Sequence, residues 1–155
     1  MEYGMILGHY GLNPAEKTVK VYAGVAPVVG EVAMFDMNTG GSHALATKLS
    51  AFSIVKQPAT IDGVAGYKFW PHVIFTQAGS ATDVVDAKLQ GILQVKVTHA
   101  ATAQKGAALY TATGSSNLTT ATGGKQVGIL LGDVTGASTT TVDVWFDGGQ
   151  ISSPV

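Results

Sequence analysis

The stretch QVGILLGDVTGASTTTVDVWFD, residues 126–147, decides the fold class. Its two runs, QVGILLGDV at 126–134 and TTTVDVWF at 139–146, are rich in β-branched and apolar residues, and a turn containing Gly136 and Ser138 separates them. In the second run Val142, Val144 and Phe146 alternate with Thr141, Asp143 and Trp145. A spacing of two sends successive side chains to opposite faces, the pattern of a strand with one face in a core. Trp145 therefore falls on the polar face with Thr141 and Asp143, which predicts that something outside the monomer core covers it.

Working toward the N-terminus, ILQVKV at 92–97 and AALYT at 107–111 carry the same strand signature. Turns rich in Gly, Ser, Asn and Thr separate the runs, and many short strands so spaced predict a small barrel or sandwich. Farther upstream Val19 and Val21 alternate with Lys20 and Tyr22, predicting a strand at 17–23, and a short strand is expected over 31–36. Leu45, Leu49 and Phe52 stand at i, i+4 and i+7 behind Ser42, which favours a helix over 42–57, with a strand over 49–56 as the rival reading. ATDVVDAKLQG at 81–91 is read as a short helical turn. The aromatic run YKFWPHVIFT at 67–76 is strand-like, and Pro71, lacking an N–H, puts it at an edge or bulge. The expected fold class is thus mainly β, a small barrel with one or two short helices.

Residues 1–14 stand apart. Glycines at 4, 8 and 11 break any helical period, while Tyr3, Met5, Ile6, Leu7, Tyr10 and Leu12 supply bulk without a self-contained pattern. Two readings fit, a partner-binding arm and an edge strand of the domain itself. The expected organisation is an extended N-terminal arm at 1–14 followed by one β-rich domain at 15–155, a length that suits one domain.

Composition narrows the function. The net charge is −1, and all 9 basic residues are lysine. Arginine supplies the planar fork that reads phosphates and guanine edges, and near-neutral charge removes the counterion-release drive, so nucleic acid is not an expected partner. Charged residues make up 12% of the chain, about half the usual share, which suits a surface partly covered in an assembly. Neither a membrane span nor a secretory signal is read in the sequence, so synthesis in the cytoplasm is expected.

Enzymatic chemistry is not expected. There is no cysteine, and His9, His43, His72 and His99 are scattered outside ligand spacing, so neither metal nor cofactor is anticipated. His72 is expected to pack in the aromatic strand and His99 to be solvated. Asp83 with Asp86, and Asp143 with Asp147, are the candidate carboxylate pairs. Their simpler roles are helix-start acids for the first pair, and an outward strand position and a turn for the second. Trp70 and Trp145 could form a sugar-stacking platform, but a subunit contact is the favoured role for Trp145.

The C-terminal stretch 126–151 resembles the end of the head decoration proteins of lambdoid phages. The shared order is Val127-Gly128-Ile129-Leu130, a polar turn at Asp133 to Ala137, Ser138-Thr139-Thr140, the alternating strand Val142 to Phe146, and the glycine turn Gly148-Gly149. The resemblance covers about a third of the chain. It implies a β-tulip-like homotrimer, a capsid cement protein that binds three-fold and quasi-three-fold sites on the outer surface of an expanded head and stabilises it. The major capsid protein is then the partner, and the virion is the location. In that family an N-terminal arm orders on the capsid, and residues 1–14 occupy the place of one. Two alternatives stay open: another phage structural part, such as a head fibre base or tail tube, and a carbohydrate-binding β module.

Overall fold

The computed structural model describes residues 17–35, 53–56, 71–112 and 114–149. Among them the chain forms β1 (Lys17–Ala23), β2 (Val32–Phe35), β3 (Ser53–Lys56), β4 (His72–Phe75), β5 (Val84–His99), β6 (Ala108–Tyr110), β7 (Leu118–Thr119), β8 (Gln126–Leu130) and β9 (Ser138–Asp147).

One strand organises the molecule. β5 is 16 residues long, and its burial alternates over most of its length, as its sequence VVDAKLQGILQVKVTH demands. Its first half pairs antiparallel with β1 and β4, and its second half pairs antiparallel with β9 and parallel with β7. The ladders close on themselves twice through this strand. One ring runs β5-β1-β3-β2-β4, and the other runs β5-β9-β8-β6-β7. Every described strand therefore has a ladder neighbour on both sides along part of its length, which shortens the free edges that invite uncontrolled strand addition.

Two apolar clusters fill the fold. Val21, Ala23, Ala33, Val73, Phe75, Val85 and Ala87 form the first. The larger cluster is built on Leu93, Val95, Val97, Leu109, Leu118, Val127, Leu130, Val144 and Phe146, and Val32 and Ile74 belong to it as well. Ala33 and Val73 thus face one core while their sequence neighbours Val32 and Ile74 face the other. β2 and β4 form a wall between the cores, which is why VAMF and HVIF are apolar without alternation.

The β-barrel class is as the sequence predicts, and three local expectations change. Residues 53–56 of the predicted helix over 42–57 form β3, paired parallel with β1, which agrees with the rival strand reading; the rest of that helix lies outside the described residues. From Val84 the predicted helical turn at 81–91 is the first half of β5. Gly91, buried opposite Phe146 with φ of 138°, lies where β5 passes from one ring to the other. The described part of the aromatic run, β4, is not the expected edge or bulge but pairs with β2 and β5 on either side, and Pro71 immediately precedes it, so the missing N–H costs the ladder nothing.

Candidate functional site

The side-chain face with unsatisfied apolar surface lies on the outside of β5, β9 and β8. Trp145 stands directly opposite Ile92 on one side and Ile129 on the other. Ile92 is 59% exposed, Ile129 36% and nearby Leu131 40%, while Trp145 itself is half-buried. The alternation that buries Val144 and Phe146 in the core forces Trp145 outward, so its orientation is as the sequence predicts.

Polar groups flank this row. Asp143 pairs with Gln94, whose amide donates to it at 3.3 Å, and the Leu131 N–H donates to the Asp143 carbonyl at 2.9 Å. Asp147 pairs with Gln90, and its carboxylate accepts from the Gly149 N–H at 3.2 Å. Between the row and Asp147 lies an open cleft of about 120 Å³ lined by Gln126, Val127, Gly128, Ile129, Trp145 and Asp147.

Behind the cleft Lys125 is almost completely buried, its ammonium donating to the Gly148 carbonyl at 3.1 Å. Burial pulls this amine from 10.5 down to about 8, and the nearby Asp147 carboxylate opposes the shift. Gly148 also accepts from the His72 N–H and donates to the Leu89 carbonyl, each at 2.9 Å, so β4, β5, β8 and β9 meet around it.

The other sequence candidates separate. Asp83 and Asp86 do not begin a helix: Asp83 accepts from the Ser80 N–H at 2.8 Å in a turn, and Asp86 pairs with Lys20 at 2.6 Å across β1 and β5. His72 is buried in β4 as expected. His99, expected to be solvated, is 2% exposed. Its Nδ1 lies 2.6 Å from the Gly136 carbonyl, which fixes the proton there, and its Nε2 meets Thr140 and Ser138 hydroxyls at 3.2 and 3.3 Å. It ends β5 on the inward side, so its terminal position did not expose it. No group of three or more metal-ligating side chains occurs among the described residues. Trp70 and the arm residues Tyr3, Met5, Ile6, Leu7, Tyr10 and Leu12 lie outside the described residues.

Ile92, Ile129 and Leu131 were not singled out in the sequence, although Ile92 carried the signal. It shares parity with Gln94 and Lys96 in ILQVKV, an apolar residue on a polar face like Trp145. Lys125 carried none, since its burial depends on the meeting of distant strands. No protein-family model matches the chain, and no curated protein matches it.

Proposed function

We propose that this chain is a non-enzymatic capsid decoration protein, which binds the outer surface of an expanded phage head as a homotrimer and reinforces it at three-fold and quasi-three-fold sites. The observation that carries this reading is the row Ile92-Trp145-Ile129, an apolar strip on the outside of a closed β architecture. Its ladder is complete, so the strip is not an unfinished edge; what it lacks is a cover for its side chains. Exposed apolar patches on a small protein mark association surfaces. The row itself carries no charge, so it can be covered without desolvating an ion of its own, while the flanking Asp143 and Asp147 call for polar partners at its rim. The likeness of residues 126–151 to lambdoid head decoration proteins supports the same reading and supplies its setting.

Two partners follow from it. The chain itself covers the Trp145 face, and the major capsid protein receives the N-terminal segment, whose bulky side chains gain affinity by burial on a neighbour. Three linked copies then multiply weak contacts into avidity. Light scattering of the free protein should give about three times the 15.9 kDa chain mass, and Trp145→Ser should shift the distribution toward monomer. The same protein should co-sediment with expanded, undecorated capsids of the phage that encodes it. Failure to bind them would overturn the decoration role, whereas a monomer that binds would overturn only trimerisation in advance of the capsid.

A further inference from the structure

The cleft beside Trp145 has the chemistry and size to receive one cationic side chain. Its lining combines the aromatic Trp145, the β8 residues Gln126 to Ile129 and one acid, Asp147. At about 120 Å³ it falls below the roughly 300–1,000 Å³ of small-molecule pockets, so a single side chain suits it better than a whole ligand. A lysine fits both halves, since its methylene stem lies along apolar and aromatic surface while its ammonium reaches a carboxylate. With no arginine in the chain, any cation offered by a second copy is a lysine or a histidine.

Lys17 and Lys56 lie in described strands but their side chains are outside the description, and among the five lysines whose side chains are described one candidate remains. Lys20 is held by Asp86 at 2.6 Å and Lys96 by Glu31 at 3.2 Å. Lys88 is half-buried and engaged within the fold, and Lys125 is buried behind the cleft itself. Lys105 is exposed, and no acid pairs with its ammonium among the described residues. It is also presented rigidly. Its N–H donates to the Asp133 carboxylate at 2.7 Å, Gly106 with φ of 91° turns the chain after it, and the Gly106 N–H donates to the Leu130 carbonyl at 2.7 Å. A fixed turn loses little conformational freedom on docking.

We propose that Lys105 of one copy inserts into the Trp145–Asp147 cleft of the next. This rests on the self-association inferred above and names the residues that meet in it. Around a cyclic trimer each copy gives one lysine and receives one, so three contacts form and no cleft is left empty. Opposite charges at the two ends of the contact set its register and disfavour other arrangements.

A charge-swap cycle on the full-length chain, read as the protein concentration at which the oligomer dissociates, tests the proposal. Asp147→Lys and Lys105→Asp should each raise that concentration at least about tenfold, and the double variant should recover most of the loss. Because Asp147→Lys could disturb the buried Lys125, thermal unfolding checks that each variant is folded. Asp147→Asn with Lys105→Gln gives a second cycle, in which the double variant should be no weaker than either single one. If the oligomer survives every variant, the Lys105 contact is wrong while the decoration reading stands. Singles that dissociate without rescue in the swap, or additive losses in the second cycle, likewise overturn it. A wild-type chain that is monomeric at all concentrations removes the self-association itself.

Discussion

At Gly148 a single backbone unit joins three strands: it accepts from His72 and Lys125 and donates to Leu89. A Cβ at this position would stand 1.9 Å from the His72 carbonyl oxygen, backbone that cannot swing aside. Gly148→Ala should therefore destabilise the fold by about 3 kcal/mol, the upper range for forced overpacking, as measured by chemical denaturation. Lys125 makes a different prediction. Its folded pKa of about 8 lies below the unfolded value near 10.5, so between those pH values the unfolded chain binds more protons and stability rises with pH. Below pH 8 the full cost of burying the charge remains, whatever else the amine contacts. Relative to wild type, Lys125→Met should lose this rise, worth up to about 3 kcal/mol at 1.36 kcal/mol per pKa unit. Parallel stability curves for the two proteins from pH 7.5 to 10 would contradict the assignment.

Among the elements, β9 and the second half of β5 were the most legible in sequence, because each buries one face and a two-residue alternation runs from Val142 to Phe146 and from Ile92 to Val97. β2 and β4 were harder, since a strand buried between two cores shows no alternation and VAMF or HVIF could equally be buried helix. The first half of β5 was misread because Asp83 and Asp86 resemble the acids of a helix start, although Val85, Ala87 and Leu89 alternate with Asp86, Lys88 and Gln90; Asp86 faces Lys20 across a ladder that sequence spacing alone does not reveal. The same limit applies to the site. Parity placed Trp145 outward, but its alignment with Ile92 and Ile129 depends on register between residues 53 and 16 positions apart. Closure of both rings bears on the N-terminal segment too. With each described strand paired on both sides over part of its length, strand addition to a capsid would, on the proposed reading, fall to the segment before β1. Deleting Met1 to Leu12 should leave thermal unfolding of the β domain nearly unchanged while sharply reducing co-sedimentation with expanded capsids. Loss of the fold would make the segment an integral strand, and equal binding would place the capsid contact on the β domain.

For the molecule as a whole, the two rings share β5 and the two cores share the wall of β2 and β4, so neither core can open without exposing the other. Phe75→Ala in one core and Leu109→Ala in the other should each cost about 2–5 kcal/mol and shift one common unfolding transition, with calorimetric and van't Hoff enthalpies in agreement. Two separable transitions would mean that the rings fold independently. On the proposed reading, such a doubly closed, sparsely charged body would be set into a surface, with a neighbouring copy over its Trp145 face and the shell receiving its N-terminal segment. The most direct measurement is cryo-electron microscopy of expanded, undecorated heads of the encoding phage after incubation with this protein. The account predicts new three-lobed density on the outer surface at three-fold and quasi-three-fold positions, one lobe per chain. Bare three-fold sites, or density only at a tail or fibre, would contradict it.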